Sequence, residues 1–125
     1  MRNLKVKVKS AKGRSISSTR WLQRQLNDPF VKEAKLQGFR SRSAFKLIEI
    51  NNKFNLLKKG HKVLDLGCAP GGWCQVAAQK VGVKPSEELV VGLDLKSCEP
   101  IVGVKFVEID FLDETQFLEL SLIHI

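Results

Sequence analysis

The sequence predicts an α/β fold, the opening of a doubly wound parallel sheet. Three observations carry this. Short apolar runs recur at residues 63–66, 89–94 and 106–110, the first holding Asp65 and the others ending in Asp94 and Asp110; runs of that length between turn signals read as buried strands. The first run leads into a turn containing Gly67, Pro70, Gly71 and Gly72, where the missing Cβ permits φ > 0 and close approach of backbone to a ligand. Beyond the turn, Trp73, Val76, Ala77 and Val81 recur at helical spacing. Strand, turn, helix, strand, loop, strand is a Rossmann-like beginning, and such sheets bind ligands beyond the carboxyl ends of their strands.

The elements around this centre follow from local signals. Lys5, Lys7 and Lys9 alternate with Leu4, Val6 and Val8, and with no evident partner strand this stretch is expected to be a mobile arm. Residues 10–18, rich in Ser, Lys and Arg, suit phosphate contacts. Ser17 or Ser18 is expected to cap a helix over 19–27, with Trp21, Leu22 and Leu26 apolar and Arg20 and Arg24 on another face. Trp21 is expected to pack this helix onto the domain. Asp28 and Pro29 fit the N-cap and first position of a second helix, which runs to about residue 37 and stops at Gly38. Residues 40–46 open a third helix, to about 54. Ala44, Leu47, Ile48 and Ile50 form its inner side, and Arg42, Lys46, Glu49 and Lys53 a polar stripe. A last helix is expected over 113–120, and His124 reads as incidental.

The turn excludes two common nucleotide sites. Gly67 and Gly72 have the spacing of a P-loop, but Trp73 and Cys74 follow where Lys and Ser or Thr are needed for phosphates. The Gly-x-Gly-x-x-Gly pattern of nicotinamide sites fails at Ala69 and Pro70. Composition narrows the class further. A chain of 125 residues suffices for one domain with a modest core. No apolar run approaches the ~20 residues of a membrane helix, and the N-terminus lacks a secretory apolar segment. Cys68, Cys74 and Cys98 lack Cys-x-x-Cys spacing and read as free thiols of a reducing compartment. The net charge of +8 is one-sided: residues 1–46 hold 13 Lys and Arg against 2 acids, the rest 8 against 11. That is the footprint of a polyanion binder.

The stretch Asp65-Leu-Gly-Cys-Ala-Pro-Gly-Gly-Trp73 resembles the first motif of class I S-adenosylmethionine-dependent methyltransferases. It is most similar to the FtsJ (RrmJ, RlmE) type, which methylates ribose 2′-hydroxyls in ribosomal RNA. Gly38-Phe-Arg-Ser-Arg-Ser-Ala-Phe-Lys46 upstream, and Pro100-Ile-Val-Gly103 with Asp110-Phe111 downstream, match the same family. The resemblance runs from about Trp21 to about Glu114.

It implies S-adenosyl-L-methionine as cofactor. Gly71, Trp73, Asp94 and Asp110 match residues that contact it, and Asp65 one near its methionine end. Gly67, Gly71 and Gly72 allow backbone approach, Asp94 can take both ribose hydroxyls, and Asp110 can accept from the adenine amino group. Lys46 matches one member of a catalytic Lys-Asp-Lys-Glu set. Arg20, Arg24, Arg40 and Arg42 are expected to contact RNA. Residues 1–37 then form a basic arm with short helices, and 38–125 the first part of a class I methyltransferase domain.

That domain has seven strands and this chain offers three, so the chain reads as a fragment. The remaining catalytic Asp, Lys and Glu would lie beyond Ile125. Alone, it is expected to be poorly stable, with an unpaired apolar strand edge, and without turnover. The activity expected of the parent is 2′-O-methylation of a ribose, a uridine, in large-subunit ribosomal RNA. It would act as a monomer without metal or membrane, in the cytoplasm or, in a eukaryote, the mitochondrion. Two competing readings are a non-catalytic RNA-binding module with a vestigial cofactor turn, and a nicotinamide-dependent reductase.

Overall fold

A computed structural model describes residues 7–8, 12–82, 84, 87–110 and 112–124. Most of the alternating basic stretch at the N-terminus, with Lys5 and Lys9, lies outside these, as do Phe111 and Ile125. The element order is α1 (Ile16–Asn27), α2 (Pro29–Leu36), α3 (Ser43–Phe54), β1 (Val63–Leu66), α4 (Gly72–Val81), β2 (Val90–Asp94), β3 (Val104–Glu108) and α5 (Glu114–His124). The three strands form one parallel sheet in the order β1-β2-β3. Val63 faces Val90 and Leu66 faces Leu93; Val90 faces Val104 and Asp94 faces Glu108. All three strands therefore end on one side, where the glycine turn also lies.

Side chains alternate across the pleat, and the core divides accordingly. On one face Val90 and Val104 pack with Cys74, Ala77 and Val81 of α4. On the other, Leu93 and Ile109 pack with Val91, Val107 and Phe117 of α5. Ala44 and Leu47 of α3 seat against Val76 of α4. Burying side chains such as Leu93 and Val76 contributes roughly 1.5–3 kcal/mol each.

Several boundaries correct the sequence expectations. The cap of α1 is Ser15, whose side chain accepts from the Ser18 N–H at 3.1 Å, so the helix begins three residues earlier than expected. Trp21, expected to pack α1 onto the domain, is 53% exposed instead, and α1 has no buried residue. The second helix agrees with its signals, Asp28 accepting from the Phe30 and Val31 N–H groups ahead of Pro29. The third starts at Ser43, three residues later than expected, after Arg40, whose N–H is taken by Gln75 Oε1. Its exit is fixed by buried Asn51, which accepts from the Leu57 N–H at 2.7 Å.

The third strand begins two residues early, after a turn at Val102 and Gly103, so Asp110 stands beyond it. The last helix is longer than expected and runs to His124, with Asp113 accepting from the Thr115 and Gln116 N–H groups at its start. β1 was expected to be buried. It is half covered: Leu64 and Leu66 are 42% and 51% exposed, on the face whose cluster with α5 draws on β2 and β3. Among the described residues no helix is long and apolar enough to cross a membrane.

Candidate functional site

β1 ends at Leu66, and the chain enters α4 through Gly67 and Gly71, with φ of +73° and +113°. These left-handed conformations strain any residue with a Cβ. The turn is pinned to the neighbouring strand. The Gly67 and Cys68 N–H groups both donate to the Leu93 carbonyl, at 2.7 and 3.1 Å. The Ala69 N–H donates to Asp94 Oδ2 at 2.9 Å, and the Lys96 N–H to Asp94 Oδ1 at 2.8 Å. The Lys96 and Ala69 donors hold the Asp94 carboxyl below the usual carboxylate range. A carboxylate has roughly four acceptor sites, so Asp94 keeps capacity for ligand hydroxyls. The Ile109 N–H donates to the Asp94 carbonyl at 2.8 Å, which brings the end of β3 to the same place. Asp110 follows, accepting from the Leu112 N–H at 3.0 Å.

Beside the turn opens a cleft of about 270 Å³. Ser41 and Ser43 line it from the entrance to α3. Asp65, the turn from Leu66 to Pro70, Gly72 and Trp73 line the rest. A smaller hollow of about 150 Å³ lies between Cys68, Gly92, Phe106 and the Lys96–Cys98 segment, so Cys68 borders both. Of the sequence-predicted residues, Gly67, Gly72 and Trp73 line the larger cleft. Asp94 bonds to Ala69 in its wall, and Asp110 stands one strand further along. The Trp73 indole N–H donates to the Ser43 carbonyl at 2.9 Å, fixing the ring as a wall between α3 and α4.

Asp65 lines the cleft with its carboxyl accepting from Cys74 Sγ at 3.2 Å. Burial raises its pKa; the Cys74 hydrogen bond opposes this, and the negative charge of Asp94 adds to it. Burial also raises the Cys74 thiol, helped by Asp65. Cys68 is pushed up to about 12, first by burial and then by Cys98, whose sulfur lies 3.9 Å away. Cys68 and Cys74 are therefore protonated, inert core groups at neutral pH.

The predicted cations separate into two groups. Arg20 and Arg24 are exposed on α1, flanking a shallow hollow with Thr19 and Gln23. Arg40 and Arg42 are engaged within the chain. Arg40 Nη1 donates to the Pro70 and Glu99 carbonyls at 3.1 and 2.6 Å, and Nη2 to the Pro100 carbonyl at 3.0 Å. Arg42 pairs with Asp28 and lies 5.2 Å over the Phe30 ring. Lys46 is exposed on α3, one helical turn past Ser43 of the cleft wall, a spacing that puts the two positions on neighbouring parts of one helix face.

Sequence reasoning missed Ser41 and Ser43 as cleft residues and Gln75 as a brace. Gln75 Oε1 accepts from the Arg40 N–H at 2.8 Å while its Nε2 donates to the Gly38 carbonyl at 3.0 Å. The signal for Ser41 and Ser43 was their place inside the Gly38–Lys46 stretch, and for Gln75 its nearness to the turn.

Comparison with known proteins gives the family of the chain. The profile of the FtsJ-like methyltransferases matches residues 39–124. A protein of Ruegeria pomeroyi named ribosomal RNA large subunit methyltransferase E is 54% identical over 118 residues, covering 90% of this chain and 51% of that protein. The protein of the same name from Xanthobacter autotrophicus is 57% identical over 111 residues, covering 89% and 44%. A crystal structure of a ribosomal RNA methyltransferase from Plasmodium falciparum aligns with a TM-score of 0.54 at 34% identity, over 67% of this chain and 49% of that one. The chain thus spans about half the length of the curated relatives it matches.

Proposed function

Since this chain belongs to the FtsJ-like methyltransferase family, we propose that it forms the cofactor-binding half of a ribosomal RNA 2′-O-methyltransferase. Its cofactor is S-adenosyl-L-methionine, and it has no turnover by itself. The observation that carries this reading is the joining of the glycine turn to Asp94 through the Ala69 N–H. It puts an acceptor for ribose hydroxyls directly beside a cleft open to a ligand.

The residues fit the cofactor. Gly67 faces open space where a Cβ would stand, so ligand can approach its backbone. The cleft with Asp65 and the turn suits the amino-acid end, Asp65 being an acceptor for an ammonium. Asp94 and the hollow near Phe106 suit the adenosine, with Asp110 near enough to the end of β3 to receive the adenine amino group. Bound there, the cofactor supplies an electrophilic methyl group on a sulfonium. The chain's own residues align it, and the indole of Trp73 limits water at the cleft wall. Lys46, one helical turn along α3 from Ser43 of the cleft wall, is suited to orient a ribose 2′-hydroxyl and stabilise developing negative charge on its oxygen. Arg20 and Arg24 supply phosphate contacts, which hold RNA without choosing its sequence. The substrate is a ribose, a uridine, of large-subunit ribosomal RNA.

Calorimetric titration with S-adenosylmethionine tests the site. Wild type binds, and Asp94→Ala weakens binding roughly tenfold to a hundredfold, the worth of charged hydrogen bonds. For the activity, the chain is joined to the remaining half of the Ruegeria pomeroyi relative and given labelled cofactor with ribosomal RNA. Label on ribose 2′-oxygens is expected. Label confined to bases or protein refutes the reaction, and RNA binding with no label favours a non-catalytic RNA-binding module.

A further inference from the structure

We infer that Arg40 is a positioning residue for the cofactor site, the pin that locks the glycine turn to the segment between β2 and β3, and not a phosphate contact. The inference rests on the reading of the turn as the cofactor's seat. Arg40 stands where three segments meet. Its guanidinium donates to the Pro70 carbonyl in the turn and to the Glu99 and Pro100 carbonyls in the segment that joins β2 to β3. Its own N–H is held by Gln75 of α4. Three acceptors from two segments use the planar fork of arginine in a way that one ammonium cannot.

The packing points the same way. An added Cβ at Gly71 would lie 3.1 Å from Arg40 Nη1, 3.4 Å from its Cδ and 3.3 Å from Phe106 Cζ. The arginine therefore lies along the turn, pressing Gly71 between itself and the Phe106 ring of β3. Phe106 also borders the hollow beside Cys68 and Lys96. Holding Pro70 and Pro100 at a set separation thereby fixes how the cleft at the turn and the hollow beyond it stand to each other. A ligand that spans both needs that relation formed in advance.

The test uses the 125-residue chain as wild type, Arg40→Lys, Arg40→Gln and, as a cation removed elsewhere, Lys80→Gln in the last turn of α4. Titration with S-adenosylmethionine is expected to show binding weakened about tenfold or more in both Arg40 variants, and unchanged in Lys80→Gln. Amide hydrogen exchange should rise at Gly71, Gly72, Glu99 and residues 101–103 and stay as in wild type at Val91 and Leu93. Binding of a single-stranded oligoribonucleotide should keep its salt dependence in both Arg40 variants. Three results overturn the inference. One is cofactor binding within twofold of wild type in Arg40→Gln. Another is a salt slope reduced by about 0.7, the share of one single-strand phosphate contact. The last is exchange rising equally through β2, which marks a support of the whole fold. A wild-type chain that takes up no cofactor overturns the reading of the site instead, and the exchange pattern then judges the pin alone.

Discussion

Two stretches of this chain carry the same sequence character and do different work. Helix α1 bears Arg20 and Arg24; the entrance to α3 bears Arg40 and Arg42. Both are basic, Ser-containing and close to an aromatic residue. In α1 nothing is buried and both arginines are exposed. At the entrance to α3, Arg40 is taken up by three carbonyls and Arg42 by Asp28 and the Phe30 ring. A count of charge cannot separate a cation that waits for a partner from one that already has several. What separates them is the presence of acceptors nearby: the Asp28 carboxylate for Arg42, and the carbonyls of residues 70, 99 and 100 for Arg40, all brought up only when the chain is folded.

Three sets of substitutions sharpen or break this contrast. The largest effect is expected at the packed corner itself. A Cβ at Gly72 would stand 2.3 Å from Ser41 Oγ, so Gly72→Ala should lower unfolding free energy by about 1–3 kcal/mol in a urea titration. Adding Ser41→Ala removes the obstructing oxygen and should return most of the loss. A Gly72→Ala chain of unchanged stability would mean that this corner yields as readily as the solvated helix. Next is Asp28→Ala. It deletes the cap on the Phe30 and Val31 N–H groups together with the partner of Arg42, and about 1–2 kcal/mol is expected. Arg42→Ala, whose side chain is 51% exposed, should cost at most ~1 kcal/mol; the reverse order would make the ion pair, not the cap, the tie between α2 and α3. The smallest effect on stability is expected from Arg20→Gln with Arg24→Gln, within about 0.5 kcal/mol of wild type. The same pair should flatten the salt dependence of single-strand RNA binding by roughly 1.4, two phosphates' worth. A fall in melting temperature with no change of slope would exchange the roles of the two stretches.

The site was legible in the sequence where one residue type answers to one local need. Gly67 and Gly71 sit at positive φ, and the Asp28-Pro29 pair starts a helix as such pairs do. Asp94 stands at the end of its strand, bonded to the turn. Legibility failed where the need was set from a distance. Trp21 is a helix residue left 53% exposed, and periodicity has no means of reporting what covers it. β3 is a local miss: it starts two residues early, directly after the Val102–Gly103 turn. Leu64 and Leu66 read as core, yet their exposure depends on which elements cover β1.

The order of elements, the glycine bend and the one-sided charge follow from the amino acids alone, because periodicity, φ and net charge are properties of neighbours along the chain. Which arginines are free, which serines wall the cleft and where Asp110 ends up were decided only by folding. They depend on groups contributed by other segments, from 14 residues away for the Asp28 partner of Arg42 to 60 for the Pro100 carbonyl that takes Arg40, and contacts of that reach exist only once folding has drawn those segments together.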